Sequence, residues 1–243
     1  MTLLTRQQDF KSATWPLHLR FGLFCGLLLL LLVVCHATAT ICWSGPWCQP
    51  VQGAIDQYGY LFELSGEMNI PSWFSVILLF LVAACAAIIG YSAPAGRRPW
   101  FWLAGLFIYM SVDEIAELHG LWPVILHMEQ TQDAHLNHFL WVIPGAVLVL
   151  LIAAVFLRWV LKLPKRTRNY FILAGIVFVS GGLGLEIVGS VVADPTFFNP
   201  VYLVVSTLEE TLEMAGVIIM VMGLLAHGQT IGLRLETDRS TTP

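Results

Sequence analysis

The twelve Lys and Arg residues of this 243-residue chain fall in four clusters, Arg6 to Arg20, Arg97 and Arg98, Arg158 to Arg168, and Arg234 to Arg239, with none in the three long intervals between. Each interval is long enough for two apolar spans of about twenty residues and a short loop. Basic residues mark the cytoplasmic side of a membrane protein, so the pattern predicts three excursions across the bilayer and back. The expected fold is an all-α integral membrane protein, a six-helix bundle with both termini cytoplasmic, most simply in a plasma (inner) membrane.

Apolar runs place the spans near 18–40, 72–94, 100–122, 139–162, 170–193 and 201–227, within a single transmembrane domain over 1–243. At 57% hydrophobic and 12% charged residues, the chain is too apolar for a soluble domain of this length. Runs of twenty residues satisfy their backbone as helices, whereas barrel strands would be half as long and would alternate polar with apolar positions. The segment Pro94-Ala95-Gly96-Arg97-Arg98-Pro99 combines turn formers with inside-marking charge and reads as a cytoplasmic hairpin loop. The polar ends, 1–12 and 235–243, read as disordered tails.

A second reading of the N-terminus stays open. Basic residues, the apolar stretch from Phe21 to Val34 and then Ala37-Thr38-Ala39 have the order of a cleaved secretory signal. Cleavage would leave five spans.

Thirteen of the sixteen acids, all but Asp9, Glu236 and Asp238, lie within the basic-free intervals. The net charge of −4 therefore describes neither face, and nothing points to nucleic acid as a partner. Cys42 and Cys48 flank Trp43-Ser44-Gly45-Pro46-Trp47 in the first outside loop, where an oxidising compartment favours a disulfide, as a staple or as a redox pair. Cys25, Cys35 and Cys85 sit in or near apolar spans as small packing residues.

The chemistry lies in carboxylates inside the spans. The third span holds Asp113, Glu114 and Glu117, the fifth Glu186, and the sixth Glu209, Glu210 and Glu213, with no Lys or Arg in the same stretches to pair them. An ionised group at the bilayer centre costs at least a few kcal/mol, so protons or a metal cation must compensate. From the rise of about 1.5 Å per residue, Glu114 lies about 24 Å above Arg98 and Glu186 about 27 Å above Arg168, while Glu210 lies about 14 Å below Val201. All three reach one level in the outer half of the membrane.

Within the third and sixth spans, acids three and four residues apart share a face. Ser111 to Gly120 and Thr207 to Gly216 both reduce to acid-Glu-x-x-Glu-x-x-Gly, and they close the two halves of the chain in opposite directions, as in an inverted three-plus-three repeat. Met110 and Met214 lie on the same stripes as packing residues or soft ligands. The run Ser180-Gly181-Gly182-Leu183-Gly184-Leu185 lets the fifth helix approach its neighbours, burying Glu186 as a ligand or as a protonated carboxyl. In the loop between spans three and four, His135 and His138 join Glu129 and Asp133, a mixture that suits divalent first-row metals. His119 points off the Glu117 face of a regular helix, although Gly120 and Pro123 loosen the chain enough to turn it inward.

The paired Glu-x-x-Glu elements resemble those of iron permeases, with Asp113 and Glu209 where that family carries Arg before the first Glu. The resemblance covers some ten residues in each half and implies iron-binding glutamates. The residues themselves lead first to a divalent-cation permease with iron, manganese, magnesium or zinc held by carboxylates at the repeat interface. Second comes a membrane-embedded metal-dependent enzyme, a hydrolase or di-metal oxidoreductase acting on a lipid or other apolar substrate, although the Glu-x-x-His elements of four-helix di-metal sites are missing. A third reading is a non-catalytic assembly subunit with carboxyls bonded between helices. Metal identity and oligomeric state are open.

Overall fold

The computed structural model describes residues 15–44, 48, 51–93, 96–128, 137, 139–195, 197 and 199–232, and among these it is helical with no strand. Six long helices carry the architecture: α1 (Leu17–Ser44), α2 (Ile70–Ser92), α3 (Arg98–Ala116), α4 (Val142–Val160), α5 (Lys165–Val192, interrupted by a π-helical turn at Ser180–Leu185) and α6 (Pro200–Thr230). All but α3 are long and apolar enough to cross a membrane, the make-up of an integral membrane protein. Lipid-compatible side chains such as Leu27, Leu30, Leu150 and Val155 stand exposed on the outer faces of α1 and α4.

Local chemistry sets where the helices begin. Asn69 caps α2 by accepting from the Ser72 N–H, while the Ser72 hydroxyl accepts from the Asn69 N–H, and Pro71 sits in the first turn where no donor is needed. Asn199 accepts from the Tyr202 N–H at the start of α6, again with a proline, Pro200, immediately inside. The third span, expected over 100–122, ends as a helix at Ala116, because Glu117 adopts a left-handed conformation (φ 46°) and a short 3-10 turn, Leu118–Leu121, follows.

α6 is the central helix. Leu224, Val221, Val217 and Met214 on α6 are almost fully buried, as are Leu78, Val82 and Ala86 on α2. Met214 therefore belongs to the core packing. Two α6 glycines set the approach of α5: a Cβ on Gly216 would lie 2.8 Å from the Phe178 backbone nitrogen, and one on Gly223 would lie 2.6 Å from the Tyr170 Cβ. Small residues here substitute for the hydrophobic driving force that helices lack in lipid.

The basic end of the bundle is tied by imidazoles. Arg166 can only donate, so His18 Nε2 accepts from its Nη2 (2.6 Å) and the His18 Nδ1–H donates to Gln229 Oε1 (3.3 Å), joining α1, α5 and α6. Trp100, at the start of α3, packs its ring 4.9 Å from His227, near the end of α6, so these two helices run antiparallel. At the other end, Cys42 and Cys48 form a disulfide with Cα atoms 5.3 Å apart. Cys25, Cys35 and Cys85 are free thiols.

α4 differs from the rest. Gly145 is its one buried residue, and a large cavity lies between α4 and the body of the bundle.

Candidate functional site

The cavity has a volume of about 890 Å³, toward the upper end of the roughly 300–1,000 Å³ range of small-molecule pockets. Its walls are of two kinds. At the end away from the basic clusters they carry Asp113 and Glu114 from α3, Glu186 from α5, and Glu209, Glu210 and Glu213 from α6, joined by His119 and by Glu67 from the loop before α2. Toward the basic end they are apolar, with Leu103 and Phe107 of α3, Ile152 and Phe156 of α4, and Phe171 of α5. Trp159 stands edge-on to both Phe171 (5.8 Å) and Trp100 (4.7 Å) and forms an aromatic floor there.

No Lys or Arg lines the cavity among the described residues. Seven acids thus share one compartment with a single imidazole.

The α6 acids owe their position to the π turn of α5. A Cβ on Gly182 would lie 2.6 Å from Glu213 Oε1, and one on Gly181 would lie 2.8 Å from the Glu209 carbonyl oxygen. The contact at Gly181 is with backbone and leaves no room for a side chain, so its absence lets α5 press against α6 where the carboxylates project, while the Glu213 side chain can yield at Gly182. A π turn adds one residue to the helical repeat and turns the following residues to a new face, which places Glu186 directly after it. Glu186 is buried, its Oε1 accepts the Trp141 indole N–H (2.8 Å), and its carboxyl lies within hydrogen-bonding reach of Glu209.

On α3 the arrangement is different. The chain turns sharply at Glu117 and folds back, so that Asp113 Oδ1 accepts from the His119 backbone N–H (2.8 Å) and Asp113 Oδ2 from His119 Nδ1 (3.0 Å). This fixes the tautomer: Nδ1 carries a proton, and Nε2 has no partner among the described residues. Burial of the ring works against its charged form, yet the Asp113 hydrogen bond and charge outweigh it and hold His119 above its usual 6.5. The Trp141 ring lies tilted with its centroid 4.8 Å from that of His119, so one indole packs on the imidazole and donates its N–H to Glu186.

Glu67 completes the polar end. Its side chain keeps contact with solvent, yet the protein packed around it removes part of its hydration, and this, with the nearby charge of Glu117, pushes its carboxyl up to about 7. Its loop is anchored on two sides: Asn69 Nδ2 donates to the Glu63 (2.6 Å) and Tyr60 (3.3 Å) carbonyl oxygens, and the Leu64 N–H donates to His36 Nδ1 (3.2 Å). The Nε2–H of the same buried His36 is left to donate to the Thr207 hydroxyl on α6 (3.1 Å). Tyr109 also lines the cavity, its ring stacked 6.5 Å from that of Trp122, and its hydroxyl is shut away from solvent with no partner in hydrogen-bonding geometry among the described residues.

Of the residues singled out by sequence, Asp113, Glu114, Glu186, Glu209, Glu210, Glu213 and His119 line one cavity, whereas Glu117 is exposed and outside it. His135 and His138, with Glu129 and Asp133, lie outside the described residues. Glu67, Tyr109, Trp141 and Tyr202 also line the cavity, and the spacing of acids alone did not reveal them. As positioned, no three His, Cys, Asp or Glu side chains among the described residues approach one another as metal ligands do.

No curated protein and no solved structure matches this chain. Residues 23–228, from early in α1 to near the end of α6, match the family described as "Domain of unknown function (DUF8692)", and the chain belongs to that family.

Proposed function

We propose that this protein is a membrane-embedded, cation-dependent enzyme of hydrolytic type that acts on an apolar substrate. One observation carries this reading: a single cavity joins an acid-lined end, holding an Asp-oriented histidine, to an apolar half that a hydrated ion would not enter. In this reading α3 counts as a sixth span, both termini face the cytoplasm on the basic side, and the acidic end lies in the outer half of the bilayer.

The residues that would hold a divalent cation are Glu114, Glu210 and Glu213, with Glu186 and Glu209 beside them; carboxylates suit iron, manganese, magnesium or zinc rather than copper. Their side chains must rotate to close on an ion. A bound cation would supply an activated water and polarise a carbonyl oxygen. Asp113 orients His119 so that Nε2 takes the proton as water adds to an ester or amide carbonyl carbon, and the leaving oxygen or nitrogen takes that proton when its bond to carbon breaks. Tyr109 and Trp141 bound the space where the polar end of the substrate would sit.

A permease built on an inverted repeat comes second, favoured by the matched acid motifs on the antiparallel helices α3 and α6. Metal analysis of purified protein with Glu114→Gln and Glu210→Gln variants tests the cation site common to both. The expected result is a stoichiometric divalent ion in the parent and a loss of at least tenfold in each variant. Hydrolysis of a long-chain ester or amide abolished by His119→Gln would favour the enzyme, and cation flux into vesicles without hydrolysis the permease. Absence of metal from the parent and both variants, after purification and after reloading, would remove both.

A further inference from the structure

The geometry points to the occupant of the apolar half: we infer that the cavity takes a single-chain amphiphile lengthwise, with a head rich in N–H or O–H donors at the carboxyls and its tail along α4 down to Trp159. This deepens the enzymatic reading and rests on it for the chemistry, though not for the binding.

Length comes first. Gly145 and Val160 both line the cavity, fifteen residues apart on one helix, which is about 22 Å at 1.5 Å per residue. One leaflet of a bilayer with a hydrocarbon core of about 30 Å is shorter than that. A full acyl or isoprenoid chain fits the slot, and a compact apolar metabolite would leave most of it unfilled.

Head chemistry follows from the acids. Seven carboxyls and no Lys or Arg line that end among the described residues, so a head entering it meets carboxyl oxygens. Acceptor-rich walls favour an amine, alcohol or amide over a phosphate, whose oxygens would meet carboxylates.

Access is the third element. At its outer end the cavity is lined by Leu64 to Glu67, a loop that His36 and Asn69 hold in place. α4 buries only Gly145, and Leu148, Ile152 and Phe156 face the cavity. Entry is therefore lateral, past α4. At Gly175 of α5 an added Cβ meets nothing within 4 Å, so a large side chain there fills the slot without striking the backbone.

The test uses reconstituted full-length protein and three probes with a photoreactive diazirine at the chain end: hexadecylamine, hexadecanol and hexadecyl phosphate. The amine and the alcohol should label the floor around Phe156, Trp159 and Phe171, the phosphate at least tenfold less, and Gly175→Phe or Ala153→Phe should reduce floor labelling at least tenfold. Labelling spread over lipid-facing residues such as Leu150 and Val155, or equal for all three heads, overturns the inference. A variant that fails to fold changes nothing, because the distribution of label and the order of the heads in the parent protein decide. Loss of metal in Glu210→Gln without floor labelling in the parent would sink the amphiphile and leave the cation site standing, and floor labelling without metal would do the reverse.

Discussion

The two acid motifs, Asp113 to Glu117 on α3 and Glu209 to Glu213 on α6, are nearly the same string of letters and end as different structures. On α6 the helix runs through the motif for several further turns, so Glu209, Glu210 and Glu213 all face the cavity. On α3 the helix stops at Ala116, Glu117 swings out to solvent, and His119 takes the place beside Asp113 that a continuing helix would deny it. Spacing assigns residues to faces only for as long as the helix continues. The difference gives the site one wall of carboxyls and one wall with an acid–base pair.

The largest expected effect breaks the α6 wall. Gly181→Leu drives a side chain into the α6 backbone at the Glu209 carbonyl oxygen and should lower stability by about 3 kcal/mol, the upper end of the usual overpacking cost, read as a loss of melting temperature in detergent. By contrast, Gly105→Ala on α3, where an added Cβ meets nothing within 4 Å, should be neutral or slightly stabilising. Equal effects would mean that the π turn does not position the carboxyls.

Breaking the α3 wall should cost less. Asp113→Asn keeps an acceptor for the His119 backbone N–H and removes the charge, for an expected loss of about 1 kcal/mol in this partly exposed pair. The sharper readout is titration of His119 by NMR, which should fall toward or below the usual 6.5. Because His119 is held above its usual value in the folded protein, its contribution is complete below pH 6.5 and is lost as pH rises through the folded value.

Glu67 sharpens the comparison by its pH dependence. Its carboxyl titrates near 7 instead of 4.5, so between those values the folded protein keeps a proton that the unfolded chain has released. Stability therefore falls as pH rises through that window, and Glu67→Gln should flatten the slope in thermal melts. The smallest effect is expected at Glu117: Glu117→Gln should stay within about 0.5 kcal/mol and leave metal content unchanged, since the side chain is exposed and outside the cavity.

Much of the architecture was legible because length and hydropathy are written directly in the chain: five of the expected spans correspond to helices suited to a membrane. The Cys42–Cys48 pairing was legible for a similar reason, two cysteines around a short turn. The end of α3 was not, because it depends on a side chain, Asp113, competing for the His119 backbone donor, and Glu117 enters a left-handed conformation that non-glycine residues rarely adopt.

Glu67 escaped notice because an acid in a loop ordinarily reads as solvated. Its available signal was the Asn69-x-x-Ser72 cap with Pro71, which fixes how the loop enters α2. Trp141 and Tyr109 look like packing residues by sequence, and only the fold shows an indole bonded to Glu186 and a tyrosine in the cavity wall. The run of small residues at Ser180 to Gly184 announced close approach, while the π turn that aims Glu186 depends on how α5 settles against α6.

The central claim is that carboxyls from three helices share one compartment and exchange protons for a cation. Infrared difference spectroscopy of the reconstituted protein on addition of manganese tests it directly. The expected result is loss of the protonated-carboxyl band with growth of the carboxylate band, both much reduced in Glu210→Gln and Glu213→Gln and retained in Glu117→Gln. An unchanged carboxyl spectrum in the parent protein, or a change equally large in the Glu210 and Glu213 variants, would contradict it.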